Sequence, residues 1–297
     1  MTARASTSLA ASLANCVKAE RRRYRKRLER CQRKFSESAV HDLRIQTRRL
    51  LALLELLGAL HSPGPLKKIR KVLKQRLDAF DELRDTHVQM SLLSELDPRF
   101  PEPCDLDALL CRRERRLTDE LHQGVLATKQ ARLERRLKTV EKKFRESAGQ
   151  IPREEARLAI RAVLREAYDR VVTLRRRIRP NRAATVHRTR VAFKRFRYMS
   201  ELLRPYLPGL KAKDLDRMRD YQTMMGNLQD MEVLLASLRR AVADKEISGR
   251  AVGPLRRELQ RRRRELMDTY LAAADRLFDF EKSVFAAAAS RPLNTES

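Results

Sequence analysis

Apolar residues along the chain recur every three or four positions, and proline and glycine fall mostly in clusters between these segments. This spacing is typical of helices that bury one face, whereas strands alternate at every second residue. No window combines such alternation with β-branched enrichment, so we predict an all-α fold without a sheet. The eight predicted helices cover 8–34, 39–57, 66–96, 105–147, 153–178, 184–204, 211–248 and 254–289.

One polar motif occurs twice, on the second helix of each set of four. It consists of a histidine, a cation three residues later, a second cation after four more and a glutamate after a further seven. The two copies are His41, Arg44, Arg48 and Glu55, and, 146 positions later, His187, Arg190, Lys194 and Glu201. Weaker matches extend to the other helices, and their offset changes only at predicted loops. We therefore predict an internal duplication with two four-helix halves, 1–149 and 150–297.

The charge balance indicates a polyanionic partner. Lys and Arg number 67 against 39 Asp and Glu, which leaves a formal net charge of +28. Such a surplus favours nucleic acid, an anionic membrane surface or inorganic polyphosphate, and composition does not choose among them. Trp is absent and aromatic residues make up 5% of the chain, so few rings are available to stack on single-stranded bases. No apolar run approaches the roughly 18 residues of a membrane span.

The repeated motif lies on a separate stripe from the leucines of its helix. At 100° per residue, Leu43, Leu50 and Leu54 share one stripe, and the histidine and cations lie about 120° around the helix. Successive cations are then roughly 5 Å apart, close to the spacing of phosphates in an extended chain. Arginine can grip two phosphate oxygens, and histidine can link anion binding to proton uptake. We interpret Glu55 and Glu201 as structural partners that hold a cation or cap the histidine, and not as catalytic acids.

No catalytic, cofactor or metal site is predicted. The four cysteines lack CxxC pairing and zinc-finger histidines, which favours reduced thiols in a cytoplasmic protein. No nucleophile elbow, P-loop or dinucleotide-binding motif occurs. A metal-dependent phosphohydrolase that uses Asp85 and Asp230 stays a less favoured alternative, because we interpret these carboxylates as arginine partners. The first residues are atypical of a secretory signal, and a transit peptide stays open.

These residues resemble the CHAD family, whose name abbreviates conserved histidine α-helical domain. The resemblance is carried by Val40-His41-Asp-Leu-Arg44 with Arg48-Arg49-Leu50, by Val186-His187-Arg-Thr-Arg190 with Lys194-Arg195-Phe196-Arg197-Tyr198, and by Leu83-Arg84-Asp85 with Gly226-Asn227-Leu228-Gln229-Asp230. It covers about residues 8–289, which would form one CHAD domain. The resemblance implies two four-helix bundles related by a pseudo-twofold axis, with a basic central channel that binds inorganic polyphosphate.

The resemblance also implies which residues line that channel. They are His41, Arg44, Arg48, Arg49, His187, Arg190, Lys194 and Arg197 on the second helices, Arg21 and Arg165 on the first, and Lys74 and Arg219 on the third. Leu51 stands where the second copy has Arg197, so we expect the second half to be more cationic near its motif. We expect a non-enzymatic polyphosphate-binding protein of the cytoplasm, with polyphosphate granules as one candidate location. General binding to nucleic-acid backbones is the main alternative.

Overall fold

A computed structural model describes residues 9–60, 64–96, 103–128, 130–147 and 150–286. All regular elements in these segments are helical, which confirms the predicted fold class. The first half contains α1 (Leu9–Arg33), α2 (Glu37–Leu57), α3 (Gly64–Asp78), α4 (Asp81–Ser94), α5 (Pro103–Leu126) and α6 (Ala131–Ser147). The second half contains α7 (Arg153–Arg175), α8 (Ala183–Leu203), α9 (Ala212–Ala243), α10 (Gly253–Ala273) and α11 (Leu277–Phe285), with 3-10 turns at Arg204–Tyr206 and Ala274–Arg276. None of the helices in the described segments has the length and hydropathy needed to cross a bilayer.

Three of the eight predicted helices are each divided in two. The predicted helix 66–96 is α3 and α4, the helix 105–147 is α5 and α6, and the helix 254–289 is α10 and α11. No proline or glycine lies at these breaks, so the spacing of breaker residues did not reveal them. Position 8 and positions 287–289 of the predicted helices lie outside the described residues.

The break between α3 and α4 is stabilised from α2. Phe80, at the break, is buried, and the Leu77 carbonyl accepts a hydrogen bond of 3.1 Å from the Arg44 guanidinium. The same guanidinium contacts the Asp81 carboxylate at 2.7 Å. A carboxylate in the first turn of α4 also complements the positive end of that helix. In the other half, α9 runs unbroken past Gly226, the residue aligned with Asp81.

Buried apolar side chains form two clusters, and both contain residues from both halves. The larger cluster includes the leucine stripe predicted on α2, namely Leu43, Leu50, Leu54 and Leu57. The smaller cluster joins α4 and α5 to α9 and α10, with Leu106 and Leu110 fully buried. The break after α5 lets α6 turn away from this smaller cluster and bury Leu137 and Phe144 in the larger one, against α1 and α3.

Helices pack in matching pairs in the two halves, and α2 and α8 meet between them. In the first half α2 packs against α1 and α3, and in the second half α8 packs against α7 and α9. Between the halves, α2 contacts α8 and α4 contacts α9. This pairing is what a duplication would produce, and the division at 149 and 150 stays a prediction. The contact of α2 with α8 brings the two copies of the histidine motif to the centre of the fold.

Candidate anion-binding cavity

A cavity of about 720 Å³ lies beside the contact of α2 and α8, with α3, the start of α4 and one residue of α9 completing its wall. Its volume is in the range of roughly 300 to 1,000 Å³ found for small-molecule sites. Among the described residues, ten cations line this central cavity: Arg44, Arg48, Lys67, Arg70, Lys71, Lys74, Arg84, Arg190, Lys194 and Arg195. Four carboxylates line it: Glu55, Asp78, Asp81 and Asp85. With every Lys and Arg counted as charged and His187 as neutral, the ten cations and four carboxylates leave a formal surplus of six positive charges.

The structure brings half of the twelve sequence-predicted residues together in this cavity. Those that line it are Arg44, Arg48, Lys74, His187, Arg190 and Lys194. Those outside the lining are Arg21, His41, Arg49, Arg165, Arg197 and Arg219. His187 lines the cavity and His41 does not, so the two copies of the motif do not contribute equally. The expectation that both histidines face a shared cavity is therefore met by His187 and not by His41.

The two arginines predicted on the first helices hold the bundles together at sites outside the cavity. Arg21 is buried and pairs with Glu134 and with Glu141 of α6, the latter at 3.2 Å. Arg165 pairs with Glu281 of α11. Both positive charges are therefore balanced within the protein. Neither residue extends the central cavity, which corrects the placement that the resemblance implies for them.

Arg49, Arg197 and Arg219 gather around one carboxylate, that of Glu201. The Arg49 guanidinium lies 3.3 Å from it, Arg197 donates a hydrogen bond to it, and the Arg219 guanidinium lies at 4.0 Å. Arg197 is buried and also donates to the Gln222 side chain at 2.9 Å. Arg197 is the additional cation of the second copy, and Glu201 neutralises it within this cluster. Arg197 therefore does not make the cavity more basic. That expectation is corrected by the fold.

Two arginines at equivalent positions of α2 and α8 make reciprocal contacts across the halves. Each pairs with a glutamate of the motif on the opposite helix and with a glutamate on the first helix of its own half. The contacts are Arg49 with Glu201 (3.3 Å) and Glu20 (3.6 Å), and Arg195 with Glu55 and Glu166 (3.7 Å). The interpretation of Glu55 and Glu201 as structural partners of cations is confirmed.

In the described segments, three cations of the cavity that are sheltered from solvent have no such partner. Among the described residues, no carboxylate lies within 4.0 Å of Arg48, Arg190 or Lys194, which we call the cation trio. The Arg190 Nε atom is buried and has no hydrogen-bond partner there either. Arg190 is the equivalent of Arg44, which pairs with Asp81, but Gly226 takes the place of that aspartate beside Arg190.

The pKa values of the cation trio fall because the side chains are sheltered from water and repel one another. Burial, followed by the charges of Arg190 and Arg48, lowers the pKa of Lys194 to about 6. Burial, followed by the charge of Arg44, lowers the pKa of Arg48 to about 10. Burial also lowers the pKa of Arg190. Each shift arises first from the loss of hydration and then from neighbouring cations, and a bound anion would stabilise the charged forms.

His187 experiences the same positive field. Its pKa is lowered from the ordinary 6.5, first by burial and then by Arg190, while a hydrogen bond with Gln229 opposes the shift. A neutral imidazole at neutral pH leaves the arginines and lysines as the main positive groups of the cavity.

The model of the CHAD domain family matches residues 16–239, about three quarters of the chain. The chain belongs to the CHAD family. A similar solved structure is the crystal structure of the CHAD domain from the plant Ricinus communis, with 20% sequence identity, coverage of 97% of this chain and 96% of that chain, and a TM-score of 0.66. At this identity the likeness establishes the CHAD fold alone. No curated protein sequence matches the chain.

The acidic residues singled out as candidate metal ligands hold this CHAD fold together. Arg84 of α4 donates to both oxygens of Asp230 on α9, at 2.8 and 3.0 Å, and to Asp85 at 2.9 Å. Asp85 and Asp230 are therefore arginine partners, as interpreted from the sequence. Within the described segments, no group of three or more histidine, cysteine, aspartate or glutamate residues is arranged to hold a metal ion.

Sequence reasoning missed a row of cations on α3 that the CHAD fold places along the cavity. This α3 row consists of Lys67, Arg70, Lys71 and Lys74, of which only the last was predicted. The helix buries Leu66, Ile69 and Leu73 on one stripe. At 100° per residue the row lies about 120° around the helix from that stripe, the same offset as the motif on α2. This offset between the cations and the buried stripe is visible in the sequence and could have identified the α3 row.

Proposed function

We propose that this CHAD chain binds inorganic polyphosphate in the central cavity. The observation that carries the proposal is the cation trio, three sheltered basic side chains without a carboxylate partner in the described part of the chain. Removing charges from water is costly unless opposite charges compensate. A polyphosphate chain offers a negative charge on each unit and oxygen acceptors for every guanidinium. Association of the CHAD family with polyphosphate agrees with this assignment.

The α3 row supports an extended ligand over a compact one. Its four cations repeat at three- and four-residue intervals and line the same cavity as the trio. Three of its members are exposed and in no ion pair within the described residues, and Arg70 lies 3.6 Å from Glu55. A linear anion bound between α2 and α8 would therefore meet further cations as it passes α3. A single orthophosphate would engage few of them.

The lining favours a bare phosphate chain over nucleic acid. Among the described lining residues, the one phenyl or phenol ring is that of Tyr198, which is 6% exposed and offers little surface for stacking. Stacking on aromatic side chains supplies much of the affinity for single-stranded bases. The cavity walls, built from packed helices, would also have to accommodate each sugar and base. Both features support polyphosphate as the preferred ligand.

We also propose that the site binds polyphosphate without cleaving it. Asp85 and Asp230, the candidate carboxylates for phosphoryl chemistry, are both bonded to Arg84. Purified protein incubated with polyphosphate and Mg²⁺ is expected to release no orthophosphate above the buffer control. Release that disappears in Asp230→Asn would contradict the proposal and favour a phosphohydrolase.

The direct test is competition binding across a salt series. Labelled long-chain polyphosphate is bound to the protein and displaced with unlabelled polyphosphate, single-stranded DNA or duplex DNA at equal phosphate concentration. We expect polyphosphate to compete best, and its affinity to fall with salt with a logarithmic slope of about −0.7 for each phosphate contacted. Equal competition by DNA at every salt concentration would instead identify a general nucleic-acid binder.

A cytoplasmic location, with concentration at polyphosphate granules, is part of the same proposal. Cys16, Cys31 and Cys111 are free thiols, which is compatible with a reducing compartment. The Cys104 side chain lies outside the described residues. A fluorescent fusion is expected to overlap with stained polyphosphate granules in cells that store the polymer. Substitution of the cation trio should disperse that signal.

A further inference from the structure

The two copies of the histidine motif differ in the cation at their third position. The first copy has Arg48 and the second has Lys194, and both side chains line the central cavity. An arginine keeps its proton under nearly all conditions in a protein, whereas a lysine in a sheltered site loses its proton readily. The equivalent positions therefore carry one permanent charge and one charge that depends on its surroundings.

The surroundings of Lys194 are predominantly positive. The cations that act on it are Arg48 from α2, Arg84 from α4 and Arg190 from α8. The carboxylates nearby are Asp81 and Asp85 from α4 and Asp230 from α9, and each is bonded to Arg44 or Arg84. His187 precedes Lys194 by two helical turns, and the α3 row completes the lining. In the described part of the protein, no carboxylate lies within 4.0 Å of the Lys194 amine, and the charge of Asp230 offsets the three cations only in part.

We propose that the central cavity takes up a proton when an inorganic phosphate chain binds, and that the side-chain amine of Lys194 receives it. The step adds one proton from solvent to the neutral amine and gives an ammonium group that pairs with a phosphate oxygen. Until the anion arrives, the neighbouring guanidinium groups disfavour this charge. The proposal rests on the proposed function, because it needs an anion in the cavity.

The pKa of Lys194, lowered to about 6, agrees with a neutral amine at pH 8. A bound anion moves the pKa back toward the ordinary 10.5. Proton uptake by this residue should therefore be greatest between these limits, and affinity should fall as pH rises through the same interval. His187, with a pKa below 6.5, is neutral at pH 8 before binding. Proton uptake by His187 on ligand binding is therefore expected at lower pH.

The test is titration calorimetry of the full chain with sodium tripolyphosphate and with long-chain polyphosphate at pH 8. Each titration is repeated in buffers with different heats of ionisation, and the dependence of the binding heat on the buffer gives the number of protons taken up. A phosphate monoester has a second pKa of about 6, so terminal phosphates of the probe are deprotonated at pH 8. We expect uptake approaching one proton for each occupied cavity.

Two variants distinguish Lys194 from other groups. Lys194→Arg keeps a positive side chain of the type found at Arg48, so it should retain binding and lose the proton uptake. Lys71→Met removes a cavity lysine that is exposed and belongs to the α3 row. This variant should weaken binding and leave the uptake for each bound ligand unchanged. If Lys194 had a purely structural role, Lys194→Arg would alter the affinity without removing the proton uptake.

The outcomes separate the two proposals. Binding without buffer-dependent heat in the wild-type protein, or equal uptake in Lys194→Arg, would overturn the assignment of the proton to Lys194 and leave polyphosphate binding intact. If neither tripolyphosphate nor long-chain polyphosphate bound at any pH from 6 to 9, the proposed function itself would be overturned. Proton uptake that is lost in Lys194→Arg and kept in Lys71→Met would support the proposal.

Discussion

Arg195 of α8 forms an ion pair with Glu55 of α2, and this contact ties the two copies of the repeated motif to each other. Its mirror image joins Arg49 of α2 to Glu201 of α8 at 3.3 Å. In each pair the glutamate that ends one motif neutralises an arginine next to the other. The motif thus contains the partners that stabilise the central helix contact, in addition to cations that face the cavity.

Replacement of Glu55 by Gln is expected to lower stability and raise affinity for polyphosphate together. The side chains of Glu55 and Arg195 are partly exposed, so the loss should be about 1 to 2 kcal/mol in the free energy of unfolding, between surface and fully buried pairs. Arg70 would then lose its carboxylate partner and Arg195 would keep only Glu166, so a ligand could contact both arginines. Urea unfolding and calorimetry measure the two effects. Glu146→Gln, which removes the exposed pair with Lys142, should change neither appreciably.

Asp81 competes with the ligand for Arg44. Asp81→Asn should release the Arg44 guanidinium and tighten polyphosphate binding by about three- to tenfold, which corresponds to roughly 1 kcal/mol. Asp78→Asn provides the matched control, because Asp78 lines the same cavity and has no ion pair among the described residues. It removes the same charge and liberates no cation. Equal gains from both variants would indicate general charge attraction instead of a competing carboxylate.

Substitution of Gly226 tests the opposite change, in which a carboxylate is added beside Arg190. A Cβ atom at this position would lie 3.5 Å from the Nε and Nη2 atoms of Arg190, an ordinary contact, so a side chain fits. Gly226→Asp should supply Arg190 with the partner that Arg44 has and weaken polyphosphate binding by about tenfold. Gly226→Ala should add helix stability of about 1 kcal/mol and leave affinity nearly unchanged. Loss of binding in both variants would point to a steric cause.

Removal of two members of the cation trio should weaken binding far more than removal of two surface cations. In Arg190→Ala with Lys194→Ala, we expect the dissociation constant for long-chain polyphosphate to rise at least tenfold, since sheltered charged hydrogen bonds each contribute about 1.5 to 3 kcal/mol. The control is Arg132→Ala with Lys138→Ala on α6, where both side chains are exposed. Similar losses in the two double variants would show that diffuse surface charge determines affinity.

The stability of the ligand-free protein should rise with pH over the same pH interval in which its affinity for polyphosphate falls. The pKa of Lys194 is about 6 in the folded protein and 10.5 in the unfolded chain, so between these values the unfolded state binds more protons. Stability then increases with pH by up to about 1.4 kcal/mol per pH unit from this group. Urea unfolding from pH 6.5 to 9 measures the slope. Lys194→Met should flatten it, and an unchanged slope in that variant would assign the effect to another group.

Much of the fold and part of the site could be predicted from local sequence patterns. Intervals of one or two helical turns between residues predict the helical class, the buried stripe of Leu43, Leu50 and Leu54, and the two copies of the histidine motif. Periodicity determines these features because a helix places nearby residues on a common face. The break at Ala79 and Phe80 has no such signal, since a buried ring and an arginine from another helix stabilise it.

The sequence by itself determined that this protein is all-helical, strongly basic and built around two matching cationic stripes. Only the tertiary structure decided which of those cations are available to a ligand. Arg21 and Arg49 look equivalent to the cavity residues along the chain, yet carboxylates distant in the sequence neutralise them in the fold. The charge that a ligand meets depends on which acids the packing of helices places beside each cation, and residues far apart in the sequence make those pairs.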